Sequence, residues 1–488
     1  MITLRQLPLL LRCEGVCGSD AEVTGVTERS DRVRPGTVFV AAQGTRVDGH
    51  EFAADAAQRG AVAILGARSG LAEFCGLPYF FHPHPRQALG LLAHAIVSHP
   101  TQAVRVSGIT GTNGKTSTAL MAQHVLGAAG YSTAFAGTVW QEIAGERREA
   151  LLTTPMGEDL AAFFAEARAA GVTHAVMEVS SIALEQHRVA GIHFSAAAFT
   201  NLTQDHLDYH GNMEAYLKAK LLLFEGMEGG DRFTVVNRED PSADVFIRAS
   251  RVPCYTYGAG GDCRAVNVKY GEDATRFMLE SPWGQASIEL RLLGQHNVSN
   301  ALCAIALSLG QGVGLEQVEN GIRTFDRVPG RFDAVNAGQP FKIVVDYAHT
   351  DDGLRNVLLA ARGVCRGRVI VVFGCGGDRD KGKRPKMGKV AGELSDFAII
   401  TSDNPRTEDP ETIVLDIEVG MQQSGKSKYQ EYLTIVDRRE AIREAIARAR
   451  PGDLVLIAGK GHENYQILGS TKLHFDDREE AIAVIQGH

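Results

Sequence analysis

No two of the eight cysteines lie at CxxC spacing; they stand singly at 13, 17, 75, 254, 263, 303, 365 and 375. That excludes the zinc and dithiol centres that paired cysteines build, and the thiols read as free and reduced. No apolar run approaches the ~20 residues that cross a bilayer, so no membrane insertion is expected. The stretch Met1–Arg12 is broken by Arg5 and followed by no clear small-residue cleavage site, so no signal peptide is expected and the expected location is cytoplasmic. Lysine and arginine form no dense block and the formal net charge is -8, which argues against nucleic acid as a partner. Internal repeats and low-complexity tracts are missing, excluding a solenoid. No assembly motif is visible either, and a monomer is expected.

What is present is an ordinary globular composition, 44% hydrophobic and 22% charged, spread over 488 residues, too many for one core. Short apolar runs (Gly36–Ala42, Ala61–Leu65, Pro78–Phe81) alternate with helical patterns (His50–Gln58, Arg86–His99) until His99-Pro100-Thr101-Gln102 breaks the chain. Strands Ala175–Val179, Ala196–Thr200 and Phe233–Asn237 follow, spaced for βαβ units and a mostly parallel sheet that ends near Arg327-Val328-Pro329-Gly330. Beyond it, strands Lys342–Asp346, Arg368–Phe373, Phe397–Thr401 and Asp453–Ala458 alternate with helices Gly353–Arg362, Lys386–Leu394, Glu411–Gln423 and Arg439–Ala449, the rhythm of a doubly wound sheet. The expected domains are 1–102, 103–330 and 331–488.

Gly111-Thr112-Asn113-Gly114-Lys115-Thr116 joins the apolar run Val104–Ile109 to the helical segment Ser117–Leu126. Glycines there let backbone N–H groups approach an anion, the helix start adds positive dipole, Lys115 adds charge, and the Thr116 hydroxyl can reach Mg²⁺. The common GxxxxGK[ST] form would need glycine at 109, where the chain has Ile109; the narrower form T-G-T-N-G-K-T applies instead.

Polar residues just past strand ends are the next candidates. Glu178, in Met177-Glu178-Val179-Ser180-Ser181, needs a cation or donors if it is buried; a metal beside the phosphate loop and a cap on the next helix would both serve. Asp205, His206, Asp208 and His210 crowd one loop, as a site or as a solvated turn. Lys218 and Lys220 read as solvent-facing, unless burial near a metal deprotonates one and makes it a carbamate. Asn297 and Asn300 either cap a helix over 301–309 or present amides to a nucleotide base. Asp346 and His349 sit at a strand mouth, and Arg331 in a linker between domains. Gly374–Arg379 is not GxGxxG, so a dinucleotide site is not expected there. Arg379, Arg406 and Glu463 fall at strand ends of one sheet, a mixed-charge rim suited to a zwitterion.

Taken in order, S-D-R-V-R-P-G from Ser30, T-G-T-N-G-K-T from Thr110, T-T-P from Thr153, M-E-V-S-S from Met177, L-T-Q-D-H-L-D-Y-H-G from Leu202, H-N-V-S-N from His296, D-Y-A-H-T from Asp346 and G-K-G-H-E from Gly459 resemble the ATP-dependent Mur ligases of bacterial cell-wall precursor synthesis. Asp403-Asn404-Pro405-Arg406 resembles the diaminopimelate-adding branch. The resemblance implies an α/β chain of three domains: a small N-terminal UDP-substrate domain, a central P-loop ATPase-type sheet, and a C-terminal Rossmann-like domain for the amino acid. It implies ATP on Gly111, Thr112, Asn113, Gly114, Lys115, Thr116 and Ser117, with Asn300, Arg331 and Asp346 on the nucleotide. Mg²⁺ would fall to Thr116, Glu178, His206 and a carbamylated Lys220. The implied partners are UDP-N-acetylmuramoyl dipeptide, at Ser30, Thr153, Thr154, Ser180, Gln186 and Arg188, and meso-diaminopimelate, at Arg379, Asp403, Asn404, Pro405, Arg406, Gly459 and Glu463. The implied chemistry is phosphoryl transfer to a carboxylate followed by amide formation, with a hinge near Val328–Arg331. Three positions depart from the family pattern: Asp31, Ile182 and Asp351 replace its usual arginine, histidine and proline.

Overall fold

The computed structural model describes residues 1–488 except 16, 45, 46, 272 and 488. Three sheets, each faced by helices, follow one another along the chain. The first has five strands in the order Gly25–Thr27, Thr37–Ala41, Ala61–Gly66, Leu77–Phe81, Glu73–Phe74, parallel but for the last. Helix Pro85–Ile96 packs on one face, where Val38, Val40, Leu65 and Phe80 meet Leu89 and Leu92.

The central sheet has eight strands in the order Glu146–Arg148, Gln141–Ile143, Thr133–Ala136, His174–Glu178, Arg105–Thr110, Phe194–Phe199, Phe233–Asn237, Cys254–Tyr257. Its last six are parallel, and the first two add an antiparallel hairpin edge. Alternation sends Val106 to one core and Ile109 to the other. Helices Lys115–Ala128, Gln295–Gly310 and Leu315–Thr324 cover the Ile109 face, and Gly157–Ala169 and Met213–Glu225 the Val106 face.

A further sheet, not foreseen from the sequence, packs against this one. Arg264–Tyr270, Thr275–Ser281 and Gly284–Leu290 form a separate three-stranded antiparallel sheet whose inner residues Phe277, Leu279, Ile288 and Leu290 join the Ile109-side core.

The C-terminal sheet runs Asp333–Val335, Lys342–Asp346, Leu454–Ala458, Val369–Phe373, Phe397–Ile400, Tyr432–Thr434; only the first strand is antiparallel. Strand Tyr432–Thr434 lies between helices Pro410–Gln423 and Arg438–Arg448, where the sequence suggested helix followed directly by helix. Leu454–Ala458 is inserted between strands that precede it in the chain by about a hundred residues, so its carboxyl end is the middle of the rim. Beneath that end, Arg438 forms a wholly buried bidentate pair with Asp477 (2.7 and 2.7 Å) and donates to the Ala458 carbonyl at 3.0 Å. Among the described residues no helix is long and apolar enough to cross a membrane.

Candidate active site

The strand Arg105–Thr110 delivers the chain into Gly111 (φ 151°) and Gly114 (φ 83°), and the helix starts at Lys115. A Cβ at Gly111 would lie 1.8 Å from Thr200 Oγ1, and one at Gly114 2.3 Å from Asn300 Oδ1, so neither position admits a larger residue without displacing its neighbour. Lys115 Nζ lies back along the loop, donating to the carbonyls of Gly111 (2.9 Å) and Thr112 (2.8 Å). Thr116 Oγ1 donates to Glu178 Oε2 at 2.9 Å. Glu178 is fully buried and also receives Thr138 N (2.7 Å) and Thr138 Oγ1 (3.0 Å), so donors from two segments satisfy it. It does not cap the following helix; Ser180 does, accepting from Ala183 N.

Helix Met213–Glu225 separates its two lysines. Lys218 lies in solvent, paired with Glu214, while Lys220 is 1% exposed, with Nζ donating to the Gly111 carbonyl at 2.9 Å and lying 4.3 Å from the Tyr216 ring. Burial, and then the nearby Lys115 charge, press the Lys220 ammonium toward its neutral form. The solvent-facing reading therefore fails for Lys220 and holds for Lys218.

A cavity of about 130 Å³ opens beside the loop, lined by Gly114, Thr116, Ser117, Asn300, Arg331 and Asp346. Arg331 crosses from the third domain: its guanidinium stacks on Tyr347 at 4.5 Å, with Nη2 3.5 Å from Thr116 Oγ1. Asp346 accepts from Phe332 N (2.6 Å) and Ala348 N (2.7 Å), and burial raises its carboxyl above the ordinary range. Asn297 and Asn300 lie inside the helix, which begins at Gln295, so neither is its cap. Two further contacts tie the domains: Asn113 Nδ2 to Asp352 (2.8 Å) and Gln204 Nε2 to Asp380 (3.0 Å).

A second cavity, of about 270 Å³, is lined on the C-terminal side by Arg379, Asp403, Asn404, Arg406, Gly459 and Glu463. Pro405 does not line it. Asp205 and His206 close the opposite side. Burial lowers His206 to about 4, so its imidazole is neutral at pH 7. Asp205 is buried too, yet His349 (3.6 Å) and His206 (3.5 Å) keep its carboxyl well below the usual range. Tyr347 and His349 line both cavities.

Thr153, Thr154, Ser180, Gln186 and Arg188 form a third group on the far side of Glu178. Thr154 Oγ1 donates to the Glu178 carbonyl (2.9 Å) and accepts from Ser180 N (3.0 Å). Arg188 reaches the Thr154 carbonyl (3.1 Å) and Gln186 Oε1 (2.7 and 3.0 Å), and Thr153 Oγ1 lies at hydrogen-bond distance from Thr138 Oγ1 (3.1 Å). Ser30 lies outside this network, on the turn Ser30–Arg32 of the first domain. Residues the sequence reading passed over also enter the site: Thr138 on Glu178, Asp352 on the loop, Lys383 on the second cavity, and Lys460 beneath it. Only Lys460 carried a signal, its place within G-K-G-H-E.

Family models match nearly every part of this arrangement: the Mur ligase family catalytic domain over residues 22–96, the Mur ligase middle domain over 109–308, and the Mur ligase glutamate ligase domain over 330–461. The chain belongs to the Mur ligase family. Among Mur ligase relatives, the UDP-N-acetylmuramoyl-L-alanyl-D-glutamate–2,6-diaminopimelate ligase of Solibacter usitatus is 46% identical over 96% of this chain and 95% of its own. That of Syntrophomonas wolfei is 44% identical over 96% of each. A solved ligase of the same name superposes with a TM-score of 0.66 at 32% identity, over 95% of each chain. The MurF ligase of Thermotoga maritima, solved with ADP, shares the Mur ligase fold at 19% identity and TM-score 0.64, over 90% of this chain and 95% of its own.

Proposed function

We propose that this chain joins meso-diaminopimelate to UDP-N-acetylmuramoyl-L-alanyl-D-glutamate at the expense of ATP, as a cytoplasmic monomer. The observation that carries the reading is the shared wall: Tyr347 and His349 line both the phosphate-loop cavity and the mixed-charge cavity, so an activated carboxyl made on one side is within reach of an amine held on the other. The relatives named for this reaction span nearly the whole chain.

ATP would lie on residues 111–117, with Asn300, Arg331 and Asp346 around the nucleotide. Thr116 and Glu178 meet at the loop and His206 is neutral, but among the described residues no group of three His, Cys, Asp or Glu side chains is placed to hold a metal ion by itself. That donor set fits a magnesium ion held by one carboxylate and phosphate oxygens rather than by a full protein cage, with a carbamate on Lys220 as a further oxygen donor. Bound there, the ion supplies neutralisation of the transferring phosphoryl group. Lys115 would leave its loop carbonyls for the γ-phosphate, and Arg331 would add a second cation. The glutamyl γ-carboxylate takes the phosphoryl group, the amine attacks the acyl phosphate, and phosphate leaves. Thr153, Thr154, Ser180, Gln186 and Arg188 would hold the UDP-linked donor, with Ser30 contributing from the first domain.

Selection of the amino acid falls to Arg406. Its backbone is left-handed (φ 52°), a conformation costing about 1–3 kcal/mol in a non-glycine residue. Bonds from its N–H to the Ile467 carbonyl (3.1 Å) and from Gly469 N to its own carbonyl (2.8 Å) hold it there. With Nη1 anchored on the Gly377 carbonyl (2.8 Å), the remaining fork is free to pair with a distal carboxylate, which lysine lacks. The test is a coupled phosphate-release assay with the UDP-linked dipeptide and either diaminopimelate or lysine. Turnover is expected to be far faster with diaminopimelate than with lysine, and equal turnover with lysine overturns the assignment.

A further inference from the structure

The turn that follows the central strand Leu454–Ala458 places Gly459 on the rim and sends Lys460 underneath it. Lys460 is 0% exposed. Its Nζ donates to Asn404 Oδ1 at 3.1 Å and lies 3.5 Å from Glu463 Oε2 and 3.8 Å from Asp403 Oδ1. We infer that Lys460 is the positioning residue that fixes both the geometry and the charge of the mixed-charge pocket, and so its preference for an amino acid with a distal carboxylate.

The geometric part follows from Asn404. Its Oδ1 accepts from Lys460 Nζ and Ile467 N (3.0 Å), which forces Nδ2 toward Glu463 Oε2 (3.0 Å). Asn404 is thereby committed to internal bonds, and its work is to aim Glu463. Without the ammonium, one of the two donors that set the amide orientation is lost and Glu463 loses its fixed partner.

The electrostatic part follows from counting charges. Asp403 is buried and Glu463 half-buried beside it, with Lys460, Arg438, His349 and, for Asp403, Lys383 the cations or potential cations facing them. Burial and then the Asp403 charge raise Glu463, and Lys460 opposes that rise. With Lys460, two carboxylates and one ammonium leave a single negative charge, enough for one substrate ammonium, while Arg379 and Arg406 remain for a carboxylate. Without it, the Asp403 and Glu463 carboxyl groups stand beside the place of the distal carboxylate with no ammonium between them. Diaminopimelate is then repelled, and lysine, which has only the ammonium there, is not.

The inference rests on the acceptor reading of this pocket, and the experiment keeps the two apart. Wild type and Lys460→Met are assayed with ATP, UDP-linked dipeptide and either diaminopimelate or lysine. In the variant, KM for diaminopimelate is expected to rise at least ~30-fold with kcat within ~3-fold and KM for ATP unchanged, as for a lost buried charge partner. The ratio of kcat/KM for diaminopimelate to that for lysine is expected to fall at least ~10-fold, which a merely structural role would not produce. If Lys460→Met does not fold, Lys460→Arg replaces it; retaining the charge but not the fit, it should raise KM and keep the ratio. An unchanged KM, a loss shared equally between ATP and acceptor, or an unchanged ratio in Lys460→Met overturns the inference, as does a normal KM or a collapsed ratio in Lys460→Arg. Failure of the wild type itself to use diaminopimelate overturns the proposed function instead.

Discussion

Replacing Lys220 by alanine tests the centre of the site. Lys220 Nζ and Lys115 Nζ each lie 2.9 Å from the same Gly111 oxygen. The two nitrogens are therefore within about 5.8 Å, where two positive charges repel by about 3 kcal/mol at an effective dielectric near 20. Burial adds to that, while the Tyr216 ring at 4.3 Å returns about 2 kcal/mol. The balance favours a neutral amine, the form that adds CO₂. Lys220→Ala is expected to lower kcat about 10²-fold or more, the size of one lost preorganised electrostatic contact, with partial recovery on adding formate or acetate. Lys220→Arg should be equally inactive, since a guanidinium stays charged. Wild-type enzyme in CO₂-depleted buffer should lose activity and regain it with bicarbonate, followed by phosphate release. Indifference to CO₂ together with more than a tenth of the activity in Lys220→Ala would refute the reasoning.

Arg331→Met removes the guanidinium between Tyr347 and Thr116, and kcat/KM for ATP should fall about 10³-fold with the circular-dichroism spectrum unchanged. Asp477→Ala leaves Arg438 charged and unpaired in the interior, and urea unfolding of the C-terminal domain should lose about 3–5 kcal/mol. His94 is fully buried, neither ring nitrogen has a partner, and burial lowers it to about 4. Below its unfolded value of about 6.5 the unfolded chain binds the extra proton first, so stability falls by about 3 kcal/mol between pH 6.5 and 4 and is intact above. His94→Leu should flatten that slope in pH-dependent melting curves.

How far the sequence speaks varies by element. The phosphate turn is legible because only glycine tolerates its φ values and contacts, and the C-terminal sheet because buried parallel strands are continuous apolar runs. Arg264–Tyr270 escapes because it is exposed or half-buried along its length, leaving no contrast between its faces. Tyr432–Thr434 is three residues long, too short for a pattern. Lys218 and Lys220 look alike in the sequence, but two positions on a helix turn the side chain by about 200°, and that rotation alone separates solvent from core. Asp352 acts through tertiary proximity that no local spacing encodes, and the G-K-G-H-E motif marks Lys460 without showing what it touches.

The insertion of Leu454–Ala458 between two earlier strands also orders events during synthesis. A nascent chain that has not yet emitted residue 454 holds Lys342–Asp346 and Val369–Phe373 as separate, unpaired edges, open to association with other chains. The phosphate-loop sheet is complete some two hundred residues sooner. Translation thus finishes the phosphate-loop sheet well ahead of the C-terminal one, and the long-range pairing that joins the two edges is the slow step left for last.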